Sequence, residues 1–583
     1  MSRRLLDKAR RRLAAESGDR ANPWGGRLAV ALVYPNTYHH AMSNLGFLTV
    51  YHLLNQRDDV LCERFFLPDP EDLKEHRNTG YPLFSLESGR FLDEFDLIAF
   101  SLSFENDYLH LPTIFELGRL PWRSDARDER SPLLLAGGVC AFLNPEPLAD
   151  VVDLFAVGEA EPILPSLLET LQANTGDRAE LLVRLARQPG LYVPSLYEAT
   201  YDEHGQFAGH HPLADIPAKV ERQYLADLNQ SPSLSFVLTP NTEFGEMFLS
   251  EISRGCSRGC RFCAAGYIYL PPRERSFETL REQIDAGLCH RARVGLVGAA
   301  VSDHPDAPAL QRHILEHGGE VSVSSLRLDA LRQEEIEDLV ASGHKTVAIA
   351  PEAGSQRMRD LINKGIDREQ ILEAVHRLAE AGMINLKLYF LIGLPGEADE
   401  DIEAIIALSD EIRLIWREAG RRRGRLGTLT LSVNPFIPKP FTPFQWAGMG
   451  SEKALRKAVK TLRSAVAHMP NTEVIFESLK SAVLQAFLAR ADRRAAEVIR
   501  LLAQGKNLKA ACREQGLDPD AVVIRERDPH EVFPWEIIDN RVRREYLLQE
   551  YRRALQCDPT PRRAPGCVRC GVCGQPTATA THS

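Results

Sequence analysis

Three thiols within one short loop constrain this chain more than any other feature. Between Arg254 and Cys263 it reads Arg-Gly-Cys-Ser-Arg-Gly-Cys-Arg-Phe-Cys, which sets Cys256, Cys260 and Cys263 at C-x3-C-x2-C spacing. Three thiolates can hold three irons of a cubane 4Fe-4S cluster and leave the fourth iron open, where an electron-transfer ferredoxin supplies a fourth cysteine. The nearest other cysteine, Cys289, lies beyond a predicted helix. Structural zinc is the alternative, but such a site needs four ligands and no second pair stands close by. The strands that follow favour iron.

The 583 residues suffice for about three or four domains. A content of 44% hydrophobic and 26% charged residues is ordinary for a soluble protein, and a net charge of −10 gives no global footprint for nucleic acid. No apolar run reaches the length of a membrane span. The basic N-terminus has no apolar core or cleavage site, so it reads as a surface helix rather than a signal peptide. Eleven cysteines, mostly clustered, point to metal chemistry in a reducing cytosol rather than to disulfides. The expected location is therefore cytoplasmic.

The chain divides by pattern. Residues 1–23 form an N-terminal helix and its exit. Over 24–175 apolar strands alternate with amphipathic segments, which predicts a doubly wound, flavodoxin-like α/β domain with its ligands beyond the carboxyl ends of the strands. Residues 176–241 form a connector with a hairpin around Asp202-Glu203-His204-Gly205. A second series over 242–450 predicts six βα units, a partial (β/α)6 barrel with its chemistry at the strand ends. Residues 451–556 read as helical with no strand, and 557–583 as a cysteine-containing tail poorly ordered outside its cysteines.

The loop with Phe262 before its third cysteine closely resembles the signature of the radical S-adenosylmethionine (SAM) enzymes. The resemblance implies that SAM chelates the open iron and is cleaved reductively to a 5′-deoxyadenosyl radical that abstracts hydrogen. It also implies a reductant partner such as flavodoxin or ferredoxin. Cofactor contacts are then expected at successive strand ends. Ser325 and Arg327, in Ser324-Ser325-Leu326-Arg327-Leu328-Asp329, resemble the ribose or carboxylate motif, with a helix N-cap as the equal alternative. Glu352, in Pro-Glu-Ala-Gly-Ser, is expected to face the nucleoside. Lys364 stands where one branch of the family has a carboxylate-pairing arginine, with a solvated lysine as the alternative. Ile392 and Leu394 flank a glycine in the segment that resembles the adenine site. The second-strand loop has Gly298-Ala299-Ala300 in place of the usual Gly-Gly-Glu, leaving the SAM amino group to backbone carbonyls, Ser302 or Asp303. The proline-rich run Asn434–Trp446 either lines the substrate cavity or seals the barrel, with sealing favoured.

The N-terminal domain resembles the cobalamin-binding domain often fused to such barrels. Ser101-Leu102-Ser103 and Gly137-Gly138 match two of its landmarks. Ala41 and Ser43 stand where the aspartate and axial histidine belong, so bound cobalamin is not expected. In the tail, Cys567, Cys570 and Cys573 at C-x2-C-x2-C spacing, with Cys557 ahead of them, suit an auxiliary iron–sulfur cluster, and zinc is the rival. The whole layout resembles a largely uncharacterised family of fused bacterial radical SAM proteins. It implies an enzyme modifying a macromolecule, an RNA or a ribosome-associated protein, with the basic run Arg417–Arg425 as a contact. The alternatives are chemistry on a small metabolite or lipid, with or without cobalamin, and a non-catalytic iron–sulfur binding or electron-carrier protein.

Overall fold

A computed structural model describes residues 2–173, 176–323, 326–329, 331–564 and 566–573. Strands β1 (Leu28–Tyr34), β2 (Val60–Phe66), β3 (Leu97–Ser101), β4 (Leu133–Gly137) and β5 (Leu154–Ala156) are parallel, and β6 (Leu191–Tyr192) closes the edge antiparallel to β5. Their order, β2-β1-β3-β4-β5-β6, is the flavodoxin-like arrangement, with its switch point between β1 and β3. The strands are apolar on both faces because helices cover both: Ala31, Val33, Ile98 and Leu134 are buried to one side, and Val30, Leu32, Leu97 and Leu135 to the other.

The six predicted barrel strands are present as β7 (Met247–Glu251), β8 (Arg293–Val297), β9 (Glu320–Val323), β10 (Thr346–Glu352), β11 (Asn385–Ile392) and β12 (Leu429–Pro435). A seventh, β13 (Thr472–Phe476), pairs parallel to β12 inside the region expected to be wholly helical. Half-buried and exposed residues alternate along it and none is buried; its apolar run, Val474-Ile475-Phe476, is only three residues long and sits between two helical stretches. The ladders run β7-β8-β9 and β10-β11-β12-β13. Among the described residues no ladder joins β9 to β10. The run Asn434–Trp446 packs as a plug, with Phe436, Phe444 and Trp446 at 1% exposure or less.

The described part of the tail, 557–564 and 566–573, is packed against the rest of the chain, against expectation. Thr560, Arg563, Cys570 and Val572 are buried, because long-range arginine contacts hold the segment against the barrel in place of secondary structure of its own.

Candidate iron–sulfur and cofactor site

The cysteine loop begins where β7 ends. A short antiparallel pairing of Ser253–Arg254 with Arg273–Glu274 fixes its base. Gly255 has φ +90°, and a Cβ there would meet the Tyr269 carbonyl oxygen at 2.6 Å, so the turn into Cys256 needs glycine. Cys260 is buried, and Cys256 and Cys263 are partly so. Burial pushes the Cys263 thiol up to about 12, with repulsion from Cys260 and Cys256 adding to it. Three adjacent thiolates therefore call for a cation, and a bound metal reverses this cost. Sulfurs around one zinc ion stand about 3.8 Å apart. Among the described residues no three cysteines bring their sulfurs within 4.8 Å of one another, so the thiols are not gathered as tightly as one tetrahedral ion requires.

Arg258, between the first two cysteines, bonds Asp303 after β8 (Nε to Oδ2, 2.8 Å) and also Asp329 after β9. Asp303 is thereby neutralised and is not free to receive the SAM amino group. Its neighbour Ser302 is buried. Arg327 lies in the same cluster and bonds Asp329 at 3.2 Å; Ser325 lies outside the described residues. After β10, Lys364 Nζ sits 3.2 Å from Glu352 Oε1. Burial raises the Cys260 thiol, while Lys364 and then Arg327 act to lower it. Arg327, Glu352 and Lys364 thus lie near Cys260, with Lys364 paired to Glu352 rather than solvated.

Local backbone explains the Glu-Ala-Gly motif. The ladder to β11 slips between Ile349 and Glu352, and Glu352 has φ +66°, a left-handed conformation that persists only where the surroundings enforce it. A Cβ on Gly354 would lie 2.1 Å from the Ile405 backbone nitrogen, so helix Asp399–Arg422 can approach only glycine there. Ile392 and Leu394 are core side chains, which leaves the backbone around Gly393 to meet a ligand. Glu397 Oε2 accepts from Gly393 N at 2.7 Å. Its pKa is pushed up to about 7, chiefly by burial. Neither Glu397 nor Arg258 was singled out from sequence. An arginine inside the cysteine loop and a glutamate closing a Gly-Leu-Pro-Gly turn were the signals available.

The tail packs onto this loop. Arg261, fully buried, bonds Glu550 (3.1 Å), the Asp558 carbonyl (2.6 Å) and Thr560 (3.2 Å). Asn363 joins Gly259 O to Thr560 N. Arg563 donates to Gly266 O at 3.0 Å, and its charge is favoured by Cys570 and Cys573. Cys570 and, more weakly, Cys567 act on Cys573.

A chamber of about 690 Å³ opens beside the loop. It is lined by Val30, Leu32, Leu97 and Leu135 from one sheet face, by Ser101, Ser103, Gly137 and Gly138 at the strand ends, and by Arg254 and Tyr269 flanking the cysteines. Glu159 and Glu161 clamp Arg254 at 2.7 and 3.0 Å, which ties the flavodoxin-like domain to the loop. Asn44 lies at the rim, bonded to Ser103. No histidine is among the lining residues, and His39 and His40 are exposed. The rim therefore fits a corrinoid in its strand-end landmarks and lacks the axial histidine.

The family model for radical SAM proteins, N-terminal, matches residues 46–194, and that for the radical SAM superfamily matches 250–409. The chain belongs to the radical SAM superfamily. As a radical SAM enzyme it has a 4Fe-4S cluster and SAM as the cofactors its family implies. An uncharacterised protein of Methanocaldococcus jannaschii is 29% identical over 470 residues, 79% of this chain and 88% of that protein. A tRNA-2-methylthio-N(6)-dimethylallyladenosine synthase of Orientia tsutsugamushi is 27% identical over 28% of this chain, which spans only 40% of that enzyme's length. The solved cobalamin-dependent radical SAM enzyme OxsB aligns over 91% of this chain and 79% of its own, at 14% identity and a TM-score of 0.44. Among the described residues no helix is long and apolar enough to cross a membrane.

Proposed function

We propose that this radical SAM enzyme takes a hydrogen atom from a small, largely apolar molecule held in the chamber between the flavodoxin-like sheet and the barrel. The observation that carries this reading is the chamber itself. Ligand sites are concave, mostly apolar and largely preformed, and the chamber of about 690 Å³ lined by Val30, Leu32, Leu97 and Leu135 has that character. A bound cluster supplies the electron that cleaves SAM to the hydrogen-abstracting radical. The chain's own part is to seat three thiols on the loop, gather Arg327, Glu352 and Lys364 for SAM, and exclude water by the aromatic plug.

Modification of an RNA or protein is supported by the partial likeness to the tRNA-modifying enzyme. Against it, the basic run Arg417–Arg425 sits at the strand-entry end of the barrel, just ahead of Leu429, opposite the cysteine loop. Arg422 is paired with Glu380 and Glu418, and Arg423 with backbone carbonyls. Reconstituted enzyme incubated with fractions from deuterated cells separates the readings. Deuterium should enter 5′-deoxyadenosine from the small apolar fraction. Transfer from tRNA or ribosomes instead would overturn the proposal. In the tail, the C-x2-C-x2-C spacing of Cys567, Cys570 and Cys573 favours an auxiliary iron–sulfur cluster over zinc. A corrinoid is expected to lack a protein histidine ligand, and cobalamin bound with nitrogen hyperfine splitting in electron paramagnetic resonance would refute that.

A further inference from the structure

We propose that Asp285, His313 and His317 bind a divalent transition-metal ion of the zinc class at the base of the barrel, apart from both thiol groups. Helix Phe277–Leu288 follows β7 and helix Ala307–Glu316 follows β8. Asp285 lies in the last turn of the first helix; His313 lies in the last turn of the second, and His317 is its C-cap. Histidines four apart share one helix face, and the two rings are 4.2 Å apart. Among the described residues this is the only group of three ligating side chains whose ligand atoms lie within 4.8 Å of one another.

The protonation pattern suits a metal. His317 Nδ1 lies 2.8 Å from the His313 carbonyl oxygen. A carbonyl can only accept, so the proton is on Nδ1 and the lone pair is left on Nε2. Backbone carbonyls orient metal-bound histidines in the same way. His313 Nε2 stands 2.6 Å from Asp285 Oδ1. An ion about 2.0–2.2 Å from each needs these atoms about 3.3 Å apart, an opening of under about 1 Å that the half-exposed Asp285 side chain allows. Binding then displaces the proton the two now share. Both helices point their C-terminal, partially negative ends at the site, which favours a cation. Two imidazoles and a carboxylate form a set zinc accepts, with a fourth position for water. Because these helices lead into β8 and β9 at their starting ends, an ion here pins the second βα unit to the first on the face opposite the cysteines.

The test is a Zn²⁺ titration of the iron-loaded, full-length protein, followed by elemental analysis after desalting. Wild type should retain one zinc ion per chain more than His317→Ala or Asp285→Asn, and the variants should bind at least about tenfold more weakly. Iron content should be unchanged in all three. Asp285→Asn is nearly isosteric, so an unaltered melting temperature with lost zinc excludes misfolding as the cause. Equal zinc retention in wild type and both variants, or no saturable binding in wild type, overturns the proposal.

Discussion

Cys256, Cys260 and Cys263 lie on a loop that leaves a barrel strand, based on a two-residue ladder and bent through Gly255. Cys567, Cys570 and Cys573 lie on a segment with neither strand nor helix, fixed by Arg543 to the Val568, Arg569 and Cys570 backbone and by Arg569 to Pro561. The first group is organised by local backbone. The second is organised by side chains that come from elsewhere, and it exists only once the tail has docked. The same element type, a C-x2-C turn, is therefore a preformed site in one place and a product of tertiary assembly in the other.

The comparison is broken most severely at the first group. Changing Cys256, Cys260 and Cys263 to alanine should drop 5′-deoxyadenosine formation to background in an anaerobic assay with dithionite and SAM. Residual product at the wild-type rate would mean that the loop does not hold the catalytic cluster. The next effect is at the second group. Two cubanes give about eight irons per chain, so Cys570→Ala should halve the iron, and stoichiometric zinc lost in its place would establish the rival metal. A third variant probes the docking itself. Arg261→Met strands Glu550 in a buried position, and breaking such a pair costs about 3–5 kcal/mol; an unfolding midpoint in denaturant that does not move would show that other contacts hold the tail.

The smallest effect concerns acid. Glu146 pairs with Arg493 and so joins the flavodoxin-like domain to the helical region. Burial alone would raise its pKa, but Arg493 and His210 hold it down to about 2. A depressed carboxylate stabilises the fold above its ordinary value near 4.5 and loses that contribution as pH falls from there toward 2. Its worth is on the order of 3 kcal/mol. Glu146→Gln should flatten this part of the pH–stability curve; a variant as acid-sensitive as wild type would assign the loss to other groups.

Sequence pattern made the two α/β series and the cysteine loop legible, because strand–helix alternation and thiol spacing are local signals. Glu352 and Lys364 were nominated by their order at and beyond the end of β10. What was illegible depends on partners far away in sequence. Asp303 looked free for the SAM amino group until Arg258 was found to hold it. In the basic run Arg417–Arg425, Arg422 and Arg423 meet Glu380 and the carbonyls of Ala379 and Met383, partners that lie about 40 residues back in the chain. The tail looked loose because its order comes from Arg261, 297 residues before the Asp558 carbonyl it binds. The chamber, defined by side chains from two domains, has no sequence signature at all.

That separation of 297 residues also sets a schedule. Ribosomes add about 5–20 residues per second, so the cysteine loop emerges roughly 15–60 s before the segment that covers it can follow. During that interval the loop is open on the side later taken by Thr560 and Arg563, and iron and sulfide carriers have access that the finished protein denies them. Cluster delivery is then favoured during synthesis, and the docked tail acts afterwards as a lock against loss. Apoprotein refolded whole should take up iron more slowly than ribosome-bound chains stalled ahead of Glu550.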